Sequence, residues 1–462
     1  MTTVPTWELR ARFARSLSEM YGREVPAYTT LVEVSAQVNR DVISRDGTAA
    51  ERFGSIERVT AERHGAIRVG TPQELAQVAR VFGGLGMHPV GFYDLREAAA
   101  SAVPVVSTAF RPVDADELAR NPFRVFTSVL TTADPRFFDD DLRAEVEAFL
   151  AGRVLFGEDL LELADRAEHE GGLPARVADR FLGLAVGAFE LSAAPVDRAW
   201  YERLERVSSV AADIGGVSST HINHLTPRVL DIDELYRRMV ARGVTMIDAI
   251  QGPPDWEGPD VLLRQTSFRA LAETRAMREP DGSVVPGALR VRFGEVEARG
   301  IALTPAGRAR YDDLLRRIDA LLAAEPSRAR ADVARELWRE SWPATERGLL
   351  AEGLAYFTFE VAAGHPPGRP PVESPVALLD GGWVTATPIV YEDFLPRSAA
   401  GIFQSNLSGE GTRHRSRRGA DHDAAWMSAA IGRAVHDPFS LYAAQQARSL
   451  DRVAVAFVSA GR

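Results

Sequence analysis

The chain has 462 residues, 45% of them hydrophobic, enough for a substantial core shared among two or three lobes. It contains no cysteine, and all 54 basic residues are arginine, which excludes disulfides, iron–sulfur clusters, thiolate zinc sites, cysteine nucleophiles, Schiff-base lysines and the P-loop lysine. A formal net charge of −10, no apolar run near the roughly 18–20 residues that span a bilayer, and an N-terminus without a secretion signal point to a cytoplasmic protein with neither nucleic-acid nor membrane partners.

The elements follow in order. Residues 1–55 read as helical, with WELRARFARSLSEMY placing apolar residues at helical spacing. From 56 to 136 short β-like runs alternate with single helices. A helical segment, 137–215, contains DLRAEVEAFL, VADRFLGLAVGAFEL and WYERLERV. A second α/β stretch covers 216–304. The remainder, 305–462, is mixed. It opens with the helix AGRARYDDLLRRIDALLAAE and passes through the proline-rich connector HPPGRPPVESP. A strand-then-loop, GGWVTATPIVYEDFLP, precedes the late helix DAAWMSAAIGRAV. The basic run RHRSRR at 413–418 sits among Gly, Ser and Asp and reads as a solvated loop.

The two α/β stretches repeat. Aligning His64 with His224 brings Arg68 onto Arg228, Val69 onto Val229, Thr71 onto Asp231, Glu74 onto Glu234, Leu75 onto Leu235 and Gly83 onto Gly243. Thr71 and Asp231 are good N-cap residues, each with a glutamate three positions on, and Pro72 suits the first helical position. Each unit reads as strand, loop, capped helix ended by glycine, then strand (MHPVGFYDL and VTMIDAIQG). The functional expectation is that two related modules bring His64 and His224 to one site. His221 stands three residues before His224, lacks an arginine four residues on, and defaults to a supporting or structural role.

A carboxylate would complete a two-histidine, one-carboxylate face, a donor set suited to non-haem Fe(II) and oxygen. ALRVRFGEVEARG, 288–300, alternates as one strand with Leu289, Val291, Phe293, Glu295 and Glu297 on one face. Carboxylates continuing an apolar face call for a cationic partner. Periodicity does not choose between Glu295 and Glu297, and an edge strand turning toward solvent explains the pattern as well.

HGAIR (64–68), NHLTPR (223–228) and FGEVE (293–297), with YEDFLPRSAAGIFQSNL (391–407), resemble the 2-oxoadipate dioxygenase/decarboxylase, or D-2-hydroxyglutarate synthase, family of the vicinal-oxygen-chelate superfamily, from about residue 30 to 410. The resemblance implies an α+β fold of two paired βαβββ modules, 56–136 and 216–304, around one metal, with additional helical segments. It implies Fe(II) held by His64, His224 and Glu295, and conversion of 2-oxoadipate and O2 to D-2-hydroxyglutarate and CO2, a step in bacterial lysine breakdown. Arg68 matches the arginine that holds a substrate carboxylate. Arg397 and Ser398 fall in the loop that closes on substrate, where Arg397 either adds a carboxylate contact or points to solvent.

Two other readings stand beside this one. A glyoxalase-like lyase or isomerase on the same fold would use another metal and need no O2, and some proteins of this superfamily only sequester ligands. No G-x-S-x-G elbow supports a hydrolase, and GGLG and GEGTRHR read as turns. His88, His169, His365, His414, His422 and His436 lie in polar, helical or loop contexts and are expected away from the site.

Overall fold

The computed structural model describes residues 3–47, 58–59, 63–97, 103–290, 292–368, 370, 374–396 and 419–460. Its centre is a five-stranded sheet. The strand carrying His64, Arg63–Val69, runs parallel to Arg124–Leu130. That strand pairs antiparallel with Val105–Arg111, which pairs in turn with His88–Asp94. The first α/β stretch is thus strand, helix and three strands, with its first and last strands adjacent. The helix is Pro72–Gly83. Thr71 accepts from the Glu74 amide while the Glu74 carboxylate takes the Thr71 amide, a reciprocal cap that satisfies two orphan donors of the first turn.

On the other side of the His64 strand lies His224–Pro227, antiparallel, with Ala66 opposite His224 and His64 opposite Thr226. From here the pattern recurs. Asp231 caps the helix Ile232–Ala241 by accepting from the Glu234 amide, and Gly243 beyond its end has φ +77°. The cap is not reciprocal here, because the Glu234 carboxylate binds Arg238 and Arg237 instead. Leu263–Ser267 pairs antiparallel with Glu295–Arg299, and Glu295–Arg299 meets the end of the His224 strand through a parallel bridge between Arg228 and Glu297.

The sequence expectations differ from the structure in two places. VTMIDAIQG is not a regular strand; only Met246 and Gln251 form isolated bridges, to Phe268 and Gln265. Gly252 at φ +108° followed by Pro253 and Pro254 stops a ladder there. Nor is 288–300 one strand. Val284–Leu289 pairs with Glu273–Arg278 in a separate hairpin, and Glu295–Arg299 begins only after the irregular stretch Arg292–Gly294. Arg292 breaks the run because it is drawn to Glu24 and Glu273.

Strand alternation sorts the residues around the sheet. Ile67 and Val69 join the core with Leu9, Phe13, Leu75 and Phe82 from the helices Thr6–Glu24 and Pro72–Gly83. His64, Ala66 and Arg68 face the other way. Between the halves lie five helices, from Asp140–Ala151 to Ser209–Gly215. The C-terminal region supplies the helix Pro305–Ala324, an antiparallel ribbon of Phe357–Val361 with Val384–Pro388, and the long helix Pro438–Ala460. Among the described residues no helix is long and apolar enough to cross a membrane.

Candidate metal centre

Three elements from distant parts of the sequence converge beneath the sheet. His64 is the second residue of its strand, His224 the first of its own, and Glu295 opens the strand Glu295–Arg299. The side chains are 1%, 4% and 2% exposed, so none of them can rely on water to solvate a charge. The His64 and His224 rings lie 5.5 Å apart at 84°. Nε2 of His64 is 3.4 Å from Glu295 Oε1, and Nε2 of His224 is 3.6 Å from Glu295 Oε2. One ligand atom from each residue lies within 4.8 Å of the others.

These separations fit a metal ion better than they fit hydrogen bonds. Bonds of about 2.1 Å from one ion place neighbouring donor atoms roughly 3.0–3.4 Å apart, whereas an N–H···O bond closes to about 2.9 Å; the two separations lie at the top of the first range and just above it, well beyond the second. The charge balance agrees. Among the described residues Glu295 receives a hydrogen bond only from the Gln265 amide, and no arginine pairs with it. A buried carboxylate facing two imidazoles is a donor set that could hold a cation.

Glu297, the alternative ligand, is committed elsewhere. Arg299 donates to it from Nε at 2.7 Å and Nη2 at 2.8 Å, and Arg124 from Nη1 at 3.3 Å. Its other neighbour is Nδ1 of His64, at 2.9 Å. A carboxylate beside Nδ1 favours the proton there and leaves the Nε2 lone pair directed into the site. Burial alone would raise the Glu297 carboxyl, but Arg299, His64 and Arg124 hold it well below the usual carboxylate range. Burial would likewise depress His64, yet Glu297 and Glu295 outweigh it and raise its pKa. His224 is pushed well down by burial, with His64 and then Arg68 adding to the effect.

Arg68 lies on the same strand face as His64, and its positive charge reaches His224. Its guanidinium donates to Asp213. His221 is not with the metal trio; its Nε2 lies 3.4 Å from Asp213 and 3.1 Å from the Asn223 amide nitrogen. Burial lowers its pKa to about 4 despite Asp213. Arg397 and Ser398 lie outside the described residues, as does His414. His88 packs near His436, His365 on Trp383, and His422 on Trp426, all apart from the trio.

Sequence reading missed much of what surrounds the trio. The Phe394 ring stands 5.0 Å from the His64 ring and 5.0 Å from Phe126, and Phe293 lies 5.0 Å from His224, so aromatic faces keep the site dry. Arg299 also holds the carbonyls of Tyr391 and Asp393 and sits over the Phe394 ring. Arg124 binds Glu392, and Arg111 grips Asp393 with two bonds. The segment Tyr391–Phe394 is therefore tied to arginines that also bind Glu297, beside the candidate ligands. The nearest sequence signal was the unusual density of arginine around these motifs, which assigns no partners.

Comparisons with known proteins bear on the same residues. The model of the 2-oxoadipate dioxygenase/decarboxylase family matches residues 13–406. The chain is 56% identical over 437 residues to the 2-oxoadipate dioxygenase/decarboxylase of Mycobacterium tuberculosis, covering 95% of this chain and 96% of that one. It is 41% identical over 452 residues to the protein of the same description from Escherichia coli, covering 96% and 97%. The crystal structure of hydroxyglutarate synthase from Pseudomonas putida in complex with 2-oxoadipate superposes with a TM-score of 0.84 at 39% identity, covering 98% of this chain and 99% of that one. Neither a coverage this complete nor an identity this high leaves the shared motifs isolated: this chain belongs to the 2-oxoadipate dioxygenase/decarboxylase family.

Proposed function

We propose that the chain holds Fe(II) through His64, His224 and Glu295 and converts 2-oxoadipate and O2 to D-2-hydroxyglutarate and CO2, so serving lysine breakdown. The observation that carries this is the buried trio with an arginine on the same strand face as His64, a set of residues suited to a cation and a carboxylate side by side. Bound Fe(II) supplies oxygen activation and a Lewis-acid anchor for a 2-oxo acid.

The protein's own part is orientation and exclusion of water. Gln265 and Glu297 fix Glu295 and His64, from the amide on one carboxylate oxygen and from the carboxylate beside Nδ1. Arg68 offers a planar fork to the substrate carboxylate far from the keto group, which lysine could not match, and so decides which carbon faces the metal. Phe126, Phe293 and Phe394 present rings rather than water to the reacting end. Arg397 and Ser398, outside the described residues, are proposed to contact the substrate.

The test is anaerobic loading with Fe(II), then an oxygen-electrode trace on adding 2-oxoadipate, with CO2 and 2-hydroxyglutarate assayed. Oxygen uptake matched one to one by both products is expected. A protein that binds zinc, takes up no oxygen with any 2-oxo acid and isomerises or cleaves a substrate anaerobically would overturn the proposal.

A further inference from the structure

Arg68 does not hold its place alone. Its Nη1 donates to Oδ2 of Asp213, on the helix Ser209–Gly215, which lies between the two sheet halves in sequence. The same oxygen accepts from the Asn223 amide at 2.9 Å, and Oδ1 stands 3.4 Å from His221 Nε2. Asn223 is fixed by its backbone. Its N–H donates to the Ala66 carbonyl at 2.8 Å, and its carbonyl accepts from the Tyr21 hydroxyl at 3.1 Å. The Thr220 hydroxyl donates to the Arg68 carbonyl at 2.8 Å. Arg68, Asp213, His221 and Asn223 are all at most 5% exposed.

Nothing in ordinary folding requires this much apparatus around one arginine. A guanidinium has five donors in a rigid plane, and a carboxylate fork uses two of them, so one arginine serves Asp213 and a ligand carboxylate together. A fixed guanidinium also spares the ligand the entropy of ordering a long side chain. His221 stays neutral at neutral pH, so the Asp213 charge is directed to Arg68.

We propose that Asp213, held by Asn223, is a positioning residue that fixes the Arg68 guanidinium for the second carboxylate of a 2-oxo diacid, and that preference for diacids over monoacids depends on it. The proposal rests on the reading of Arg68 as the carboxylate-binding residue. A merely structural Asp213 would affect all substrates alike. A positioning Asp213 affects only those whose far end Arg68 meets.

The experiment is binding calorimetry under nitrogen on the Fe(II)-loaded protein, with 2-oxoadipate and with 2-oxohexanoate, which replaces the far carboxylate by a methyl group. The proteins are the wild type, Asp213→Asn, Asn223→Ala, Arg68→Ala and the Arg68→Ala/Asp213→Asn double variant. Asp213→Asn is expected to weaken 2-oxoadipate about ten-fold or more and 2-oxohexanoate by less than about two-fold, the scale of one charge-assisted hydrogen bond. Asn223→Ala is expected to act in the same direction by a smaller factor, and it carries the test should Asp213→Asn fail to fold. The double variant should be no weaker than Arg68→Ala, because Asp213 acts through that arginine. Equal weakening of both acids, or a double variant weaker by the full Asp213→Asn factor, overturns the proposal. Arg68→Ala losing the diacid preference while Asp213→Asn keeps it overturns the proposal alone. Arg68→Ala binding both acids as the wild type does overturns the parent reading and the proposal with it.

Discussion

Exchanging Glu297 for glutamine removes one charge at nearly constant size, in a densely paired spot beside the proposed metal ligands. The carboxylate is fully buried and bound by Arg299 at 2.7 and 2.8 Å and by Arg124 at 3.3 Å. Removing one partner of a buried ion pair costs about 3–5 kcal/mol. Arg299 keeps the carbonyls of Tyr391 and Asp393, and Arg124 keeps Glu392, which places the expected loss at the lower end, about 3 kcal/mol. For the metal, His64 loses the carboxylate 2.9 Å from its Nδ1, a change worth about ten- to a hundred-fold in affinity. Glu295→Gln removes a donor atom itself and is expected to weaken metal by more than that. Anaerobic Fe(II) titration against a chromophoric chelator reads the affinities, and urea unfolding of the metal-free proteins reads stability. The pH profile adds a check. A carboxyl held below its unfolded pKa, near 4.5, contributes stability above that value and loses it as pH falls through the depressed folded value. Glu297→Gln should therefore flatten the acid limb of stability below about pH 4.5. Metal retained by Glu295→Gln and abolished by Glu297→Gln would refute the assignment and move the ligand by two residues.

Two further outcomes follow from the same packing. His221, near 4 when folded and near 6.5 when unfolded, binds its proton first in the unfolded chain, so stability should fall by up to about 3 kcal/mol between pH 6.5 and 4; His221→Gln should remove that slope, and an unchanged slope would show that His221 is not shielded. Gly294→Ala would drive a methyl group into the Phe268 ring, whose amide donates to the Gly294 carbonyl at 2.9 Å. Displacing that pair shifts Glu295 next door, so a loss of about 1–3 kcal/mol with weaker metal binding is expected, and wild-type affinity for Fe(II) would refute it.

Local signals in the sequence carried a good part of this. The capped helices after Thr71 and Asp231 are readable because caps act within four residues, and His64 and His224 were legible because the same offsets occur twice. What was not legible depended on contacts between distant segments. The run at 288–300 looked like one strand because alternation continues through it, but Arg292 answers to Glu24 and Glu273, far away in sequence. Periodicity left Glu295 and Glu297 equal. They differ because Arg299 and Arg124 reach only one of them. Asp213 gave no signal, and Asn223 and Phe394, though inside the quoted motifs, revealed no role, because Asp213 acts on Arg68 and Phe394 on His64 from more than a hundred positions away and Asn223 acts through Asp213.

On the proposed reading, the repeat also accounts for a site with three protein ligands among the described residues. In the first half His64 lies opposite Arg124, Ala66 opposite Phe126 and Arg68 opposite Ser128. In the second, Arg228 meets Glu297. Setting Arg68 on Arg228 makes Ser128 the counterpart of Glu297 and Phe126 the counterpart of Glu295. The antiparallel neighbours agree: Ser107 pairs with Ser128 as Gln265 pairs with Glu297. A faithful duplication would have offered a second carboxylate where Phe126 stands. The phenyl ring there cannot donate to a cation, so one side of the ion is left to other ligands, which a chelating 2-oxo acid and O2 require on the proposed reading. The same exchange explains the arginines. In the second half, glutamate, glutamine and Arg299 crowd the position beside Arg228 and support the metal ligands. In the first half, two small serines, bonded to each other at 2.8 Å, stand in the corresponding place beside Arg68. On the proposed reading the two halves share the work unevenly: each supplies one histidine to the ion, the second adds Glu295 and the first adds Arg68.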